Sequence, residues 1–330
     1  MFRPGVPGLG SARSDHRRRT VAFAPSVPTV TNRMTTAPPT QSFTLGLVRA
    51  IRPKQWAKNL LVFAAPAAAG VLRESEPFVQ TLVAFIAFCL AASGTYLIND
   101  AYDVESDRLH PTKRHRPVAA GVIPVGTAIA VGLVAVAAGV AVSFAARWEL
   151  AAVVGGYIVL TSSYTIWLKH IAIVDLVAVA GGFVLRAIAG AAATDVPVSD
   201  WFLIIASFGS LFMVAGKRHA ELRDLGAGGA AVRSTLEEYT DSYLGYLRAV
   251  TSGVVMIAYC LWAIERVPVE GGSPYIQLSI VPFVMGVLRY AMLVDRGEGA
   301  APEDLVLTDR TLQVFGVIWA VFLVLAVYVT

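Results

Sequence analysis

Nine apolar runs, at about residues 58–72, 78–98, 124–145, 149–168, 171–192, 201–216, 247–265, 274–294 and 311–329, leave this chain few ways to fold. Each comes near the roughly 20 residues that a helix needs to cross a bilayer core. The first and sixth are short, so eight spans and nine both stay open. Of 330 residues, 56% are hydrophobic and 15% charged, where a soluble domain carries roughly 25% charged residues. The expected class is therefore all-α: a polytopic membrane protein whose partner is a lipid bilayer. No nucleic-acid partner is expected, and a homo-oligomer stays open. Cys89 and Cys260 both lie inside apolar runs, which points to packing and offers neither a disulfide framework nor a zinc site.

Residues 1 to about 42 differ from the rest. They are rich in Pro, Ser, Thr and Arg, with a basic knot at His16, Arg17, Arg18 and Arg19. We expect a disordered, cytoplasmic tail weakly attracted to anionic lipid, with Met34 as an alternative start. The apolar domain then occupies 43–330, opening on a short amphipathic stretch, FTLGLVRAI. Placing the N-terminus inside satisfies the positive-inside rule. Arg108, Lys113, Arg114, Arg116, Lys169, Lys217, Arg218, Arg223 and Arg248 then face the cytoplasm, whereas the other side has few basic residues. The long polar connections, 99–123, 217–246 and 295–310, fall on that same inner side.

Chemistry concentrates between Tyr96 and Pro117 (YLINDAYDVESDRLHPTKRHRP), where an apolar span delivers Asn99 and Asp100, then Asp103 and Asp107. If the helix continues, Asn99, Asp103 and Asp107 stack one turn above another, with Asp100 at their border. Hard oxygen ligands in such a stack suit Mg²⁺, which keeps some waters and shares its site with substrate phosphates. Arg114 and Arg116 follow at once, so the stretch reads as a diphosphate–metal site at a membrane surface. A second polar segment, AGKRHAELRD at 215–224, offers Lys217 and Arg218 as a phosphate clamp, with Glu221 on a shared helical face. Lys54 and Lys58 lead the first span; Tyr164 and Lys169 end the fourth. Arg186 lies well inside the fifth, where a cation is costly and faces a partner or a wet cavity.

Read together, these residues resemble the UbiA superfamily of integral-membrane prenyltransferases. NDAYDVESD at 99–107 fits the pattern NDxxDxxxD, and YTIWLK at 164–169 is close to a YSxxLK-like element. The likeness runs from Arg49 to the end of the chain. It implies a nine-transmembrane-helix bundle around a central cavity that faces the cytoplasm, in the plasma membrane, and Mg²⁺-assisted cleavage of a bond to diphosphate.

The chain departs from the common pattern after the sixth span. A second aspartate-rich motif is usual there; this chain has KRHAELRD, more cationic, with Glu221 and Asp224 as its acids. RPKQWAKN at 52–59 and AGKRHAEL at 215–222 look like the branch of decaprenyl-phosphate phosphoribosyltransferases. That resemblance implies phosphoribosyl diphosphate (PRPP) as donor and polyprenyl (decaprenyl) phosphate as acceptor. The product would be decaprenylphosphoryl-5-phosphoribose, a precursor of cell-wall arabinan. Asp100, Asp103 and Asp107 would be catalytic, with Asn99, Asp103 and Asp107 on the metal. Lys54, Lys58, Arg116, Tyr164, Lys169, Arg186, Lys217, Arg218 and Glu221 would bind substrate. Two rivals remain at this point: prenyl transfer from a prenyl diphosphate to an aromatic acceptor, and a non-enzymatic transporter or lipid-binding protein.

Overall fold

A computed structural model describes residues 42–225, 234–265, 274–298 and 302–329; the N-terminal tail and the Asp224 side chain lie outside the described residues. Every regular element among the described residues is helical. Short 3₁₀ turns and a last π-turn aside, in order they are α1 (Phe43–Ala50), a 3₁₀ helix (Pro53–Phe63), α2 (Ala64–Ala69), α3 (Ser75–Tyr102), α4 (Val104–Leu109), α5 (Val125–Ser143), α6 (Trp148–Ile166) and α7 (Val174–Thr194). Then come α8 (Asp200–Leu225), α9 (Asp241–Glu265), α10 (Tyr275–Leu278), α11 (Ile280–Asp295), α12 (Pro302–Thr308) and α13 (Arg310–Val324).

Among the described residues, eight helical stretches are long and apolar enough to cross a membrane: 75–102, 125–143, 148–166, 174–194, 200–223, 241–265, 275–295 and 310–329. They match eight of the nine expected runs to within a few residues at most ends. Their contacts rest on small side chains, as they must where lipid supplies no drive for helices to associate. A side chain at Gly94 of α3 would stand 2.6 Å from the Gly132 carbonyl oxygen of α5. That pair of glycines lets the two backbones touch.

The first expected run differs. Pro53 opens a 3₁₀ helix, Pro66 falls inside short α2, and Gly70 ends the segment in a left-handed turn (φ 79°). Two prolines remove two backbone donors, which disfavours one long α-helix there. The segment nonetheless runs from one polar end of the bundle to the other. Arg52, just before it, pairs with Asp100 at the end of α3. At its far end the Ala67 carbonyl accepts from Tyr328 Oη, and Arg73 lies over the Tyr328 ring.

The two ends are built differently. At one, the starts of α7 and α9 and the finishes of α3, α6 and α8 share buried polar contacts. At the other, Arg147 pairs with Glu149 and Asp195, and the Trp201 indole donates to Glu265.

Candidate functional site

The finish of α3 divides its polar residues between two partners. The Asp103 N–H donates to the Asn99 carbonyl and the Asp107 N–H to the Asp103 carbonyl, so the one-turn spacing persists into α4. The side chains nevertheless part. Thr165 Oγ1 donates to Asn99 Oδ1 at 2.8 Å, and Lys169 Nζ lies 2.9 Å from Asp103. Asp100 and Asp107 turn instead to Arg116, at 3.0 and 2.7 Å, and Asp100 also takes Arg52 at 2.5 Å.

Helical period explains the division. Residues seven apart drift by only about 20° around a helix, so Asp100 and Asp107 share a face. Two steps of four drift by about 80°, which carries Asp107 away from Asn99. The expected trio of Asn99, Asp103 and Asp107 is thus not gathered on one side. Among the described residues, no three His, Cys, Asp or Glu side chains form a group that could hold a metal alone.

Second-motif residues also separate. Arg218, expected to clasp substrate, is 2% exposed and spends its fork on the chain itself. Its Nε donates to Asp175 at 3.0 Å, one terminal nitrogen to Glu221 at 2.7 Å, the other to Tyr164 Oη at 3.3 Å. Lys217 and Glu221 are half-buried beside it. His219 points to the other flank of α8, 3.3 Å from Asp241. Because Asp175 and Arg218 are both buried, removing one charge strands the other. Arg218→Leu should cost about 3–5 kcal/mol and lower the melting temperature in detergent by on the order of 10 °C, measurable by thermal shift.

Arg186 has acquired neutral partners. It donates to Asn59 Oδ1 at 2.7 Å, Tyr157 Oη at 2.8 Å and the Gly182 carbonyl at 2.7 Å, among the rings of Phe88, Tyr157 and Phe183. It therefore fastens the 3₁₀ helix to α7. Lys58 lies over the Phe183 ring at 6.0 Å, while Lys54 is exposed at the head of the same segment.

The end of α6 contacts both polar groups. Its neighbours Tyr164 and Thr165 touch Arg218 and Asn99 respectively. Sequence reasoning missed Thr165, Asp175 and Tyr239. Asp175 did leave a signal, an acid just inside the apolar run VDLVAVAGG, where a charge is expensive. Tyr239 left none. Its hydroxyl donates to Asp175 at 2.5 Å, and burial followed by that carboxylate pushes its pKa well above the ordinary tyrosine value.

Beyond the polar end, an apolar cavity of about 300 Å³ opens between α6, α7 and α8, lined by Leu160, Val177, Ala180, Gly181, Val184, Leu185, Ser207 and Leu211. Ala180 lies five residues past Asp175, and Leu211 seven before Arg218. Those steps are about 8 and 10 Å along the helix axes.

The model of the UbiA prenyltransferase family matches residues 60–319. A decaprenyl-phosphate phosphoribosyltransferase of Corynebacterium glutamicum is 42% identical over 325 residues, 96% of this chain and 97% of that one. One from Mycobacterium tuberculosis is 45% identical over 285 residues, covering 85% and 94%. Among solved structures, a UbiA homolog from Archaeoglobus fulgidus bound to DMAPP and Mg²⁺ superposes with TM-score 0.66 at 18% identity, covering 84% of this chain and 96% of that one. That likeness concerns the fold.

Proposed function

This chain belongs to the UbiA prenyltransferase family, and from that premise we propose that it transfers 5-phosphoribosyl from PRPP to decaprenyl phosphate, releasing diphosphate. The geometric observation that carries the reading is the meeting of two polar groups at one bundle end, joined by Tyr164 and Thr165. The relatives' shared name supplies the acceptor and the group moved.

The donor chemistry suits a hard divalent cation, although the side chains here divide between Thr165–Lys169 and Arg116. Asn99, Asp100, Asp103 and Asp107 offer only oxygen, and Asp100 Oδ2 is buried without a hydrogen-bond partner. Such a set does not enclose an ion, which suits Mg²⁺ shared with phosphates; bound there it would neutralise the leaving diphosphate. The chain's cations do the rest. Lys54, Lys58, Arg116, Lys169 and Lys217 share the remaining phosphate oxygens. Arg218 and Arg186 hold the frame that presents them.

In the reaction, an oxygen of the lipid phosphate attacks the anomeric carbon while the bond from that carbon to the diphosphate oxygen breaks. Positive charge builds on the ribose ring and negative charge on the departing group, so electrostatic stabilisation is the main catalytic contribution. The acceptor is ionised near neutral pH, and no general base is needed. The apolar cavity beside α7 takes the first isoprene units, with the phosphate at the polar end. Residues 53–73 serve as a ninth crossing, since eleven 3₁₀ and six α residues rise about 31 Å, the depth of a bilayer core. The polar end faces the cytoplasm of the cell membrane, in keeping with the charge asymmetry of the loops.

Purified protein in lipid nanodiscs with Mg²⁺ should move label from radiolabelled PRPP into the lipid phase, one diphosphate released per transfer. Label transfer from geranyl diphosphate to an aromatic acceptor, with none from PRPP, would overturn the donor assignment in favour of prenyl transfer.

A further inference from the structure

Tyr239 stands just before α9, far in sequence from every residue assigned above to the reaction, and its hydroxyl closes a chain of contacts that ends at the site. It accepts from the Ile173 N–H at 2.6 Å and donates to Asp175 Oδ1 at 2.5 Å. Asp175 Oδ2 accepts from Arg218, whose remaining nitrogens reach Glu221 and Tyr164. Tyr239, Asp175 and Arg218 are all buried, whereas the Glu221 side chain is 26% exposed. The series therefore runs from the protein interior to a carboxylate at the site's edge.

Ile173 adds a second, independent observation. It precedes α7 with φ 69° and ψ −48°, a positive φ that β-branched residues almost never adopt. Such a conformation persists only where the surroundings over-determine it, and strain of this kind clusters at functional sites. The Tyr239 hydroxyl is what holds the N–H of that residue. One oxygen thus fixes both the strained entry to α7 and the orientation of the carboxylate two residues on.

We propose that Tyr239 is a positioning residue for the diphosphate donor, acting through Asp175 and Arg218 to fix Glu221 and Tyr164 at the mouth of the site. The inference rests on the transfer reaction above. It assigns a role in donor affinity to the segment that leads into α9. Its part is indirect: through Asp175 it sets the orientation of Arg218, Glu221 and Tyr164.

Tyr239→Phe keeps the ring, which stacks on Tyr243 at 6.0 Å, and deletes only the hydroxyl. In nanodiscs, the donor KM should rise by about tenfold, as the groups at the mouth of the site lose their fixed geometry. The acceptor KM should stay within about twofold. Asp175→Asn should raise the donor KM similarly, and adding Tyr239→Phe to it should change little more, because the hydroxyl acts through that carboxylate. Additive effects, or a lower melting temperature with both KM values unchanged per folded molecule, overturn the proposal. Should Tyr239→Phe fail to fold, an unmoved donor KM in Tyr164→Phe, which leaves the buried Asp175–Arg218 pair intact, does the same. If the wild type accepts a prenyl diphosphate and not PRPP, the transfer reading falls. The shift in KM for that donor then still decides the role of Tyr239.

Discussion

Asp103→Ala lowers turnover by about 10²–10³-fold, the usual loss when one group stabilising transition-state charge is removed, while the protein stays folded. The side chain is 21% exposed, as is that of its partner Lys169. A pair that wet contributes at most about 1 kcal/mol to stability. Removing Asp103 also frees Lys169 for a phosphate oxygen, so the donor KM should hardly move and the loss should fall on kcat.

Asp100→Ala gives the contrast. That side chain is 1% exposed and takes both Arg52 and Arg116; its removal leaves Arg52 without its carboxylate while Arg116 keeps Asp107, and should lower stability by about 1.5–3 kcal/mol. Steady-state kinetics with a thermal-shift control separates the two. An Asp103→Ala enzyme within tenfold of wild type would remove Asp103 from the reaction.

Where the sequence spoke clearly, length was the reason. An uninterrupted apolar run of about twenty residues has one structural answer in lipid, and α3, α5, α6 and α7 follow their runs closely. The first run was harder, because Pro53, Pro66 and Gly70 act together with a close neighbour, α7, that no local pattern reveals. The acidic stretch was legible as a site, and its backbone spacing followed from period alone. Its division between the end of α6 and Arg116 was not, since partners sixty-six residues away decide where Asn99 and Asp103 point. The partners of Arg218 were hidden for a similar reason. A cation at the inner end of a span suggests phosphate, but Asp175, forty-three residues earlier, claims its Nε first. For Arg186 the sequence showed that a partner was needed, and the structure supplies Asn59 and Tyr157.

Gly190→Ala should be the most damaging small substitution in the bundle. Pro66 has no N–H to offer the Val62 carbonyl four residues back, and that carbonyl lies against Gly190 of α7. A methyl group on Gly190 would overlap the carbonyl oxygen, and would stand 2.8 Å from the Val62 carbonyl carbon and 2.9 Å from Pro66 Cδ. These are backbone and ring atoms with no rotamer to retreat to. Overpacking in a core costs about 1–3 kcal/mol where side chains can shift, so this clash should reach or exceed the top of that range.

The 3₁₀ helix would have to lift away from α7, opening the Arg186–Asn59 hydrogen bond and leaving a guanidinium in the bundle interior short of an acceptor. It would also displace Arg52, Lys54 and Lys58 from the polar end. The folded yield should therefore fall, and what remains folded should show a donor KM raised by about tenfold or more. Gly181→Ala is the matched control, because its methyl group would meet only Leu160 Cδ2, at 3.2 Å, the movable tip of a side chain lining the apolar cavity. It should spare folding and donor KM. If Gly190→Ala proved as mild as Gly181→Ala, the first crossing would not be seated on α7, and the cations it carries could not be part of the site.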